Sequence, residues 1–149
     1  MALCQTVPIV TPLSQAPSDA ELLSKADVVI VNGLDLEIPT IELAKDGAEI
    51  YPLGENTITP EEYAYDFSFP REAGHPNPHL WPNVAYAMRY AELTAQKLSE
   101  RDQANAAYFQ DNLARYVAVL SRLDQGIMAS VQTIPEGQRK LLTYHDSWA

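Results

Sequence analysis

The stretch Ala26-Asp27-Val28-Val29-Ile30-Val31-Asn32-Gly33 decides the fold of this chain. A β-branched run that ends at an Asn-Gly pair is typical of a buried parallel strand closed by a turn. A helix with Pro39 in its first turn should follow and end at residue 45, and a second strand should cover residues 48–53. A strand, a helix and a strand in so short a span require a parallel crossover, so the sequence predicts an α/β fold.

The segments on either side of this unit are also patterned. Ser18-Asp19-Ala20-Glu21 has the spacing of a capping box and predicts a short helix over residues 19–25. Residues 54–82 are rich in Pro, aromatic and acidic residues without a strand or helix period, which predicts a long ordered loop. Asn83 can cap a further helix that runs to about Arg101.

The last third of the chain carries a long apolar stripe. Apolar residues three and four apart predict one continuous helix over residues 102–134, with the stripe favoured as core over a coiled-coil contact. The stripe consists of Phe109, Leu113, Tyr116, Val117, Leu120, Leu123, Ile127, Val131 and Ile134. Pro135 should end the helix, and Leu141-Leu142-Thr143-Tyr144 predicts a short strand that presents His145 and Asp146 at its carboxyl end.

Composition excludes several classes of protein. A chain of 149 residues is one domain or part of one, and 10 basic against 20 acidic residues give a net charge of −10, which disfavours nucleic acid and anionic membranes as partners. The single Cys4 allows neither an intramolecular disulfide nor a thiolate zinc cluster. We expect no transmembrane segment, since no apolar run approaches the roughly 20 residues that span a bilayer, and no export signal is recognisable.

The three histidines, His75, His79 and His145, are the candidate ligands for a metal. Imidazole is the commonest neutral ligand of zinc-like ions, and Asn77-Pro78 places His79 on a stiff loop just before a helix. Taken alone, His75 and His79 are more often surface residues. His145 follows a predicted strand, where open α/β sheets place ligand sites, and Asp146 beside it is either an orienting carboxylate or a helix cap.

A small hydrolase that uses His145 and Asp146 is the enzymatic alternative. Adjacent side chains rarely meet productively, and the sequence has neither a Gly-x-Ser-x-Gly elbow nor a Gly-rich phosphate loop after the first strand. We therefore expect that the protein is not an enzyme.

Four motifs in order resemble the metal-binding solute-binding proteins of zinc and manganese ABC transporters, once called adhesin lipoproteins. They are Ala16-Pro17-Ser18-Asp19, residues 23–37, Asn77-Pro78-His79-Leu80-Trp81 and residues 139–146. The resemblance implies two α/β lobes joined by one long helix, with the metal between the lobes. A second lobe would normally cover the apolar stripe of that helix, so we expect the stripe to be partly uncovered here. It divides the chain into an aberrant or unstructured N-terminus (1–18), an α/β lobe (19–101), a connector helix (102–134) and the first strand of a second lobe (135–149).

The resemblance assigns the family's second metal ligand to His79 and its third to His145, with His75 as a possible helper. Thr11 occupies the place of the first ligand, and the fourth, an acidic residue, would lie beyond Ala149. Codons for residues 6–15, read in another frame, can spell a histidine motif like that of the family. This motivates the hypothesis that residues up to about Gln15 come from a shifted frame.

The implied function is capture of zinc or manganese outside the cytoplasmic membrane and delivery to an ABC permease. The metal ion is the transported ligand, no organic cofactor is implied, and with two of four ligands we expect capture to be impaired in this chain. Imidazole serves both metals, so the sequence does not choose between them. A helical interaction fragment that binds no metal is the second alternative.

Overall fold

A computed structural model of the chain describes residues 17–142 and 147. Its helices and strands are α1 (Pro17–Leu23), β1 (Val28–Val31), α2 (Ile38–Ala44), β2 (Glu49–Pro52), α3 (Val84–Arg101) and α4 (Ala106–Gln132). Short 3-10 turns cover Pro60–Glu62, Arg71–Ala73, Gln103–Asn105 and Glu136–Gln138. The predicted α/β class is confirmed. Thr11 and the hypothesis of a shifted frame lie outside the described residues.

The two strands pair in parallel, with Val28 opposite Glu49 and Val31 opposite Pro52. The connecting α2 has a proline in its first turn and buries Ala44 completely, which confirms the predicted strand, helix and strand. Each strand is two residues shorter than predicted. A regular strand needs hydrogen-bonded backbone partners, and β1 and β2 are paired with each other at only four positions.

Helix α1 differs from its prediction in register. It covers Pro17–Leu23, so Ser18 lies within its first turn instead of capping it, and the predicted capping box is wrong. Proline suits a first turn because its fixed φ matches the helix and its missing N–H would have no intrahelical partner there. The helix therefore ends two residues earlier than the spacing of Ser18 and Glu21 suggested.

The long loop between β2 and α3 is ordered by a small apolar core. Ile58 and Leu80 from the loop are buried with Leu34, the residue directly after the Asn32-Gly33 pair. Three partly buried tyrosines pack against this cluster: Tyr63, Tyr86 and Tyr90. Burial of aromatic side chains explains how a segment without periodic structure keeps one conformation. The predicted ordered loop is confirmed.

Helices α3 and α4 pack along each other. Asn83 caps α3 as predicted, since its Oδ1 accepts a hydrogen bond of 2.9 Å from the amide of Ala85. Helix α4 begins at Ala106, not at residue 102, because Asp102 instead caps the intervening turn by accepting from the amide of Asn105. Over its 27 residues α4 is continuous through Leu120, as the stripe predicted.

The apolar side chains of α4 are covered in part only as far as Leu120, and Tyr116 before it is still 53% exposed. Leu120 is buried, but the apolar residues that follow are exposed, and Leu123 retains 50% of its accessible surface. The other exposed apolar residues after Leu120 are Ile127, Met128, Val131 and Ile134. No other described element packs against α4 there, which confirms the expectation that the stripe is partly uncovered.

The predicted strand after α4 is not present at its first two positions. Leu141 and Leu142 have no regular structure and are 75% and 97% exposed, because no described strand lies beside them to pair with. Thr143, Tyr144, His145 and Asp146 lie outside the described residues. The division into lobe, connector and second lobe remains a prediction. Across the described ranges, no helix has both the length and the apolarity that crossing a bilayer requires.

Candidate metal site

His79 lies just before α3, on a loop fastened to the end of β1. The fastening residue is Asn32, whose Nδ2 donates to the carbonyl of Pro78 at 3.1 Å and to that of Gly33 at 3.0 Å. The hydroxyl of Tyr90 on α3 donates to Oδ1 of Asn32 at 3.0 Å. One side chain thus joins the carboxyl end of a parallel strand, the histidine loop and α3, which is the edge where α/β sheets place ligands.

The imidazole of His79 is half-buried and held on several sides. Its Nδ1 lies 2.7 Å from Oδ1 of Asn77, and its backbone amide donates to the same oxygen at 3.0 Å. The ring of Phe69 meets it edge-on at 5.7 Å between centroids, and the ring of Trp81 lies at 5.0 Å. These contacts restrict both the position and the rotation of the ring.

Asn77 and Asp66 are site residues that the sequence analysis missed. Asn77 is only 2% exposed, and its Nδ2 donates to Oδ2 of Asp66 at 2.6 Å. The other carboxylate oxygen of Asp66 accepts from the amides of Ser68 and Phe69 at 2.8 and 3.0 Å. The available signal was an asparagine between two prolines in a loop, because a polar side chain buried there must be hydrogen-bonded.

Two glutamates beside the end of β1 accept hydrogen bonds from backbone amides. Glu37 accepts from the amides of Asn32 and Gly33 at 2.9 and 3.1 Å, one on each oxygen, and Glu55 accepts from the amide of Leu34 at 2.8 Å. Leu34 has a φ of 52°, a strained left-handed conformation. The carboxylates of the two glutamates stabilise the backbone amides that this turn exposes. These glutamates therefore have a structural role.

His75 is not among the residues whose rings contact His79 in the described part of the chain. Nδ1 of His75 lies 2.8 Å from Oδ2 of Asp35, and both side chains are exposed. His75 and Phe69 both line a cavity of about 310 Å³. In the part of the chain that the structure describes, no three His, Cys, Asp or Glu side chains form a group that could hold a metal. His145 lies outside that part, so the pairing of His79 with His145 stays a prediction.

A larger apolar cavity of about 510 Å³ lies between α3 and α4. Trp81, Tyr90 and Phe109 contribute to its wall, and no histidine, cysteine or carboxylate lines it. Because such a wall offers no ligand for a metal ion, His79 and not this cavity is the centre of the candidate site.

Comparison with known proteins identifies the family of the chain. The family described as zinc-uptake complex component A, periplasmic (ZnuA), matches residues 13–149. The metal ABC transporter substrate-binding lipoprotein of Lactococcus lactis subsp. lactis is 30% identical over 136 residues, which cover 85% of this chain and 42% of that protein. The manganese ABC transporter substrate-binding lipoprotein scaA of Streptococcus gordonii is 29% identical over 136 residues, with the same coverage.

Solved structures give the same result. The crystal structure of ZnuA has a TM-score of 0.74 at 27% identity and covers 93% of this chain and 51% of that one. The periplasmic zinc-binding protein TroA from Treponema pallidum has a TM-score of 0.67 at 21% identity, covers 80% of this chain and 42% of that one, and shows the fold alone. The chain thus spans about half of these structures, and 42% of the length of the curated relatives.

The matched family and relatives define a class of metal-ion substrate-binding proteins of ABC transporters, which are not enzymes. The chain belongs to the ZnuA family. The family resemblance and the expectation of a non-enzymatic role are confirmed, and the names of the relatives give the hydrolase alternative no support.

Proposed function

We propose that this chain takes part in capturing zinc or manganese outside the cytoplasmic membrane for delivery to an ABC permease. The observation that carries the proposal is the fixed imidazole of His79 at the carboxyl end of β1, held through Nδ1 by a buried asparagine. A metal-ligating histidine characteristically donates its other ring N–H to such a partner. His79 therefore has the setting of a ligand and not that of an ordinary surface histidine.

His145 supplies the second imidazole of the proposed site, and His75 is a helper that can approach from the exposed side. The zinc-uptake family that matches the chain and a relative named for manganese both support a transition metal as the transported ion. The permease partner and the location outside the membrane rest on the family and on relatives named as lipoproteins of ABC transporters.

Calorimetric titration of the purified 149-residue chain with zinc, and in parallel with manganese, tests the proposal. Two imidazoles fill half of a tetrahedral shell, so we expect zinc affinity in the micromolar range or weaker. His79→Ala and His145→Ala should each abolish binding, while His75→Ala should have a smaller effect. Binding should also weaken as the pH falls, because protons compete with the metal for imidazole nitrogen.

Two results would contradict this assignment. Nanomolar zinc affinity in the wild-type chain would require ligands beyond those named. Unchanged affinity in the variant that lacks both His79 and His145 would show that the metal binds elsewhere.

A second candidate function, a helical interaction surface, is favoured by one observation. The half of α4 that follows Leu120 exposes a row of large apolar side chains. Single apolar residues are common on protein surfaces, but a continuous row of them is typical of an interaction surface. Sedimentation velocity of the purified chain, which detects association between copies, tests this second function.

A further inference from the structure

We infer that Asp66 and Asn77 are positioning residues that fix His79 in the tautomer with its proton on Nδ1, which leaves Nε2 as the metal-binding nitrogen. The tautomer follows from the hydrogen bonds alone. Only the role of Nε2 toward a metal rests on the proposed function.

Asp66 sets the polarity of the hydrogen bonds at this site, because its carboxylate can only accept. One oxygen accepts from the amides of Ser68 and Phe69, and the other lies 2.6 Å from the side-chain nitrogen of Asn77. The backbone carbonyl of Phe69 accepts from the amide of Asp66 at 2.9 Å and closes the same turn. The carboxylate is therefore held in place and presents a fixed acceptor to Asn77.

Asn77 transmits this polarity to His79. Because its amide nitrogen must face the carboxylate, its oxygen must face the imidazole, where it also accepts from the backbone amide of His79. An amide oxygen cannot donate, so the ring nitrogen 2.7 Å away must carry the proton. In a neutral imidazole the lone pair that can bind a metal then lies on Nε2.

The tautomer of wild-type His79 is the first measurement. Long-range ¹H–¹⁵N correlation NMR of the metal-free chain, at about pH 8 where imidazoles are neutral, distinguishes the two tautomers by their nitrogen shifts. We expect His79 to be more than 90% in the Nδ1–H form. His75 and His145 serve as internal references. A wild-type His79 that is mainly in the Nε2–H form would overturn the inference without any variant.

Asp66→Asn is the second measurement, because it reverses the polarity of the chain of hydrogen bonds. The oxygen of the new amide is needed by Ser68 and Phe69, so its NH₂ faces Asn77 and favours rotation of that amide by 180°. An NH₂ then faces Nδ1 of His79, at the cost of the hydrogen bond that the backbone amide of His79 donates to Asn77, so we expect a partial shift toward the Nε2–H tautomer. Asp124→Asn, the same change on an exposed part of α4, should leave the tautomer as in the wild type.

The double variant Asp66→Asn, Asn77→Asp exchanges carboxylate and amide and restores the original polarity. We expect it to return His79 to the Nδ1–H form, which a merely structural role of Asp66 would not predict. Failure of the double variant to restore this tautomer, or an unchanged tautomer in folded Asp66→Asn, would overturn the inference. Circular dichroism verifies that each variant is folded.

Zinc titration of the same variants separates this inference from the proposed function. Asp66→Asn should weaken zinc binding by about 10–100-fold, with partial recovery in the double variant and no change in Asp124→Asn. A wild-type chain with the Nδ1–H tautomer that binds no zinc would refute the proposed function but not the tautomer assignment. Unaltered zinc affinity in Asp66→Asn, with the tautomer reversed, would refute the role of Nε2.

Discussion

The hydroxyl of Tyr90 on α3 donates a hydrogen bond to the side-chain oxygen of Asn32 at the end of β1, at 3.0 Å. Asn32 in turn donates to the carbonyl of Pro78, the residue before His79. Burial raises the pKa of Tyr90, and the charges of Glu55 and Glu37 raise this pKa further, so the hydroxyl remains a donor throughout the neutral range. The candidate site is therefore braced between the sheet and the first long helix.

We predict that Tyr90→Phe destabilises the protein by about 1–3 kcal/mol, because it leaves a partly buried amide oxygen of Asn32 without this donor. Urea denaturation measures the change. Tyr108→Phe on α4 is the matched control, since Tyr108 is 62% exposed and its substitution should cost less than about 0.5 kcal/mol. Equal midpoints for the two variants would show that the bond to Asn32 contributes no stability.

Gly33, at the end of β1, is predicted to tolerate no side chain. Its φ is +83°, and an added Cβ would lie 1.9 Å from Oε2 of Glu55 and 2.9 Å from Cβ of Pro52. Gly74 has a φ of +78° but no neighbouring atom within 4 Å of such a Cβ. The two glycines therefore share the backbone strain of an alanine substitution and differ in the clash.

Gly74→Ala should cost about 1–2 kcal/mol, the usual penalty of a left-handed residue. Gly33→Ala should cost at least about 1–3 kcal/mol more, because the ring of Pro52 cannot move aside as a flexible side chain can. Urea denaturation of both variants measures the difference. Similar losses in the two would mean that the turn relaxes around the added methyl group.

Glu49 on β2 gives the stability a predicted acid dependence. Hydrogen bonds from Arg101 and, second, from Lys97 at 3.1 Å lower the pKa of Glu49 below its usual value. Since the folded pKa is the lower one, the stabilisation is present above the ordinary carboxyl range. It is lost as the pH falls through the lowered value.

Glu49→Gln should therefore lower the urea midpoint at neutral pH, and its difference from the wild type should shrink as the pH falls below the ordinary carboxyl range and vanish once the pH is below the lowered pKa of Glu49. The group is exposed, so the difference should also shrink in roughly 1 M salt. Glu136→Gln, in the turn after α4, is the control and should give no such pH-dependent difference. A constant difference from about pH 7 to 3 would exclude the ion pairs as its cause.

The uncovered half of α4 predicts self-association. Sedimentation velocity should show species larger than the monomer that increase with concentration, despite the net charge of −10. The double variant Leu123→Glu, Ile127→Glu should suppress these species. Glutamate at Ala118 and Gln125, exposed positions roughly opposite on the helix, adds the same charge and should not suppress them to the same extent. A monomeric wild-type chain would show that this surface does not mediate association between copies.

The sequence by itself determined the order of the secondary structure. The β-branched run before Asn32, the proline in the first turn of α2 and the cap at Asn83 are local signals, and each lies where the structure has the corresponding element. The continuity of α4 was likewise predictable, because a repeat of three and four residues acts over every turn of a helix. The boundary between the two helices near Arg101 was predicted as well, but the spacing did not reveal that Asp102 caps an intervening turn and that α4 begins only at Ala106.

Only the tertiary structure decided which polar residues surround His79. Asp66 lies 11 positions before Asn77 in a loop without period, and Asn32 lies 46 positions before Pro78, so no local pattern links these pairs. Burial decided it: with Asn77 withdrawn from water, its amide had to find partners within the protein, and the fold brought Asp66 and His79 to it. The positions at which the α4 stripe is exposed were settled in the same way, because a sequence shows that a face is apolar, whereas only the packed chain shows where another element covers it.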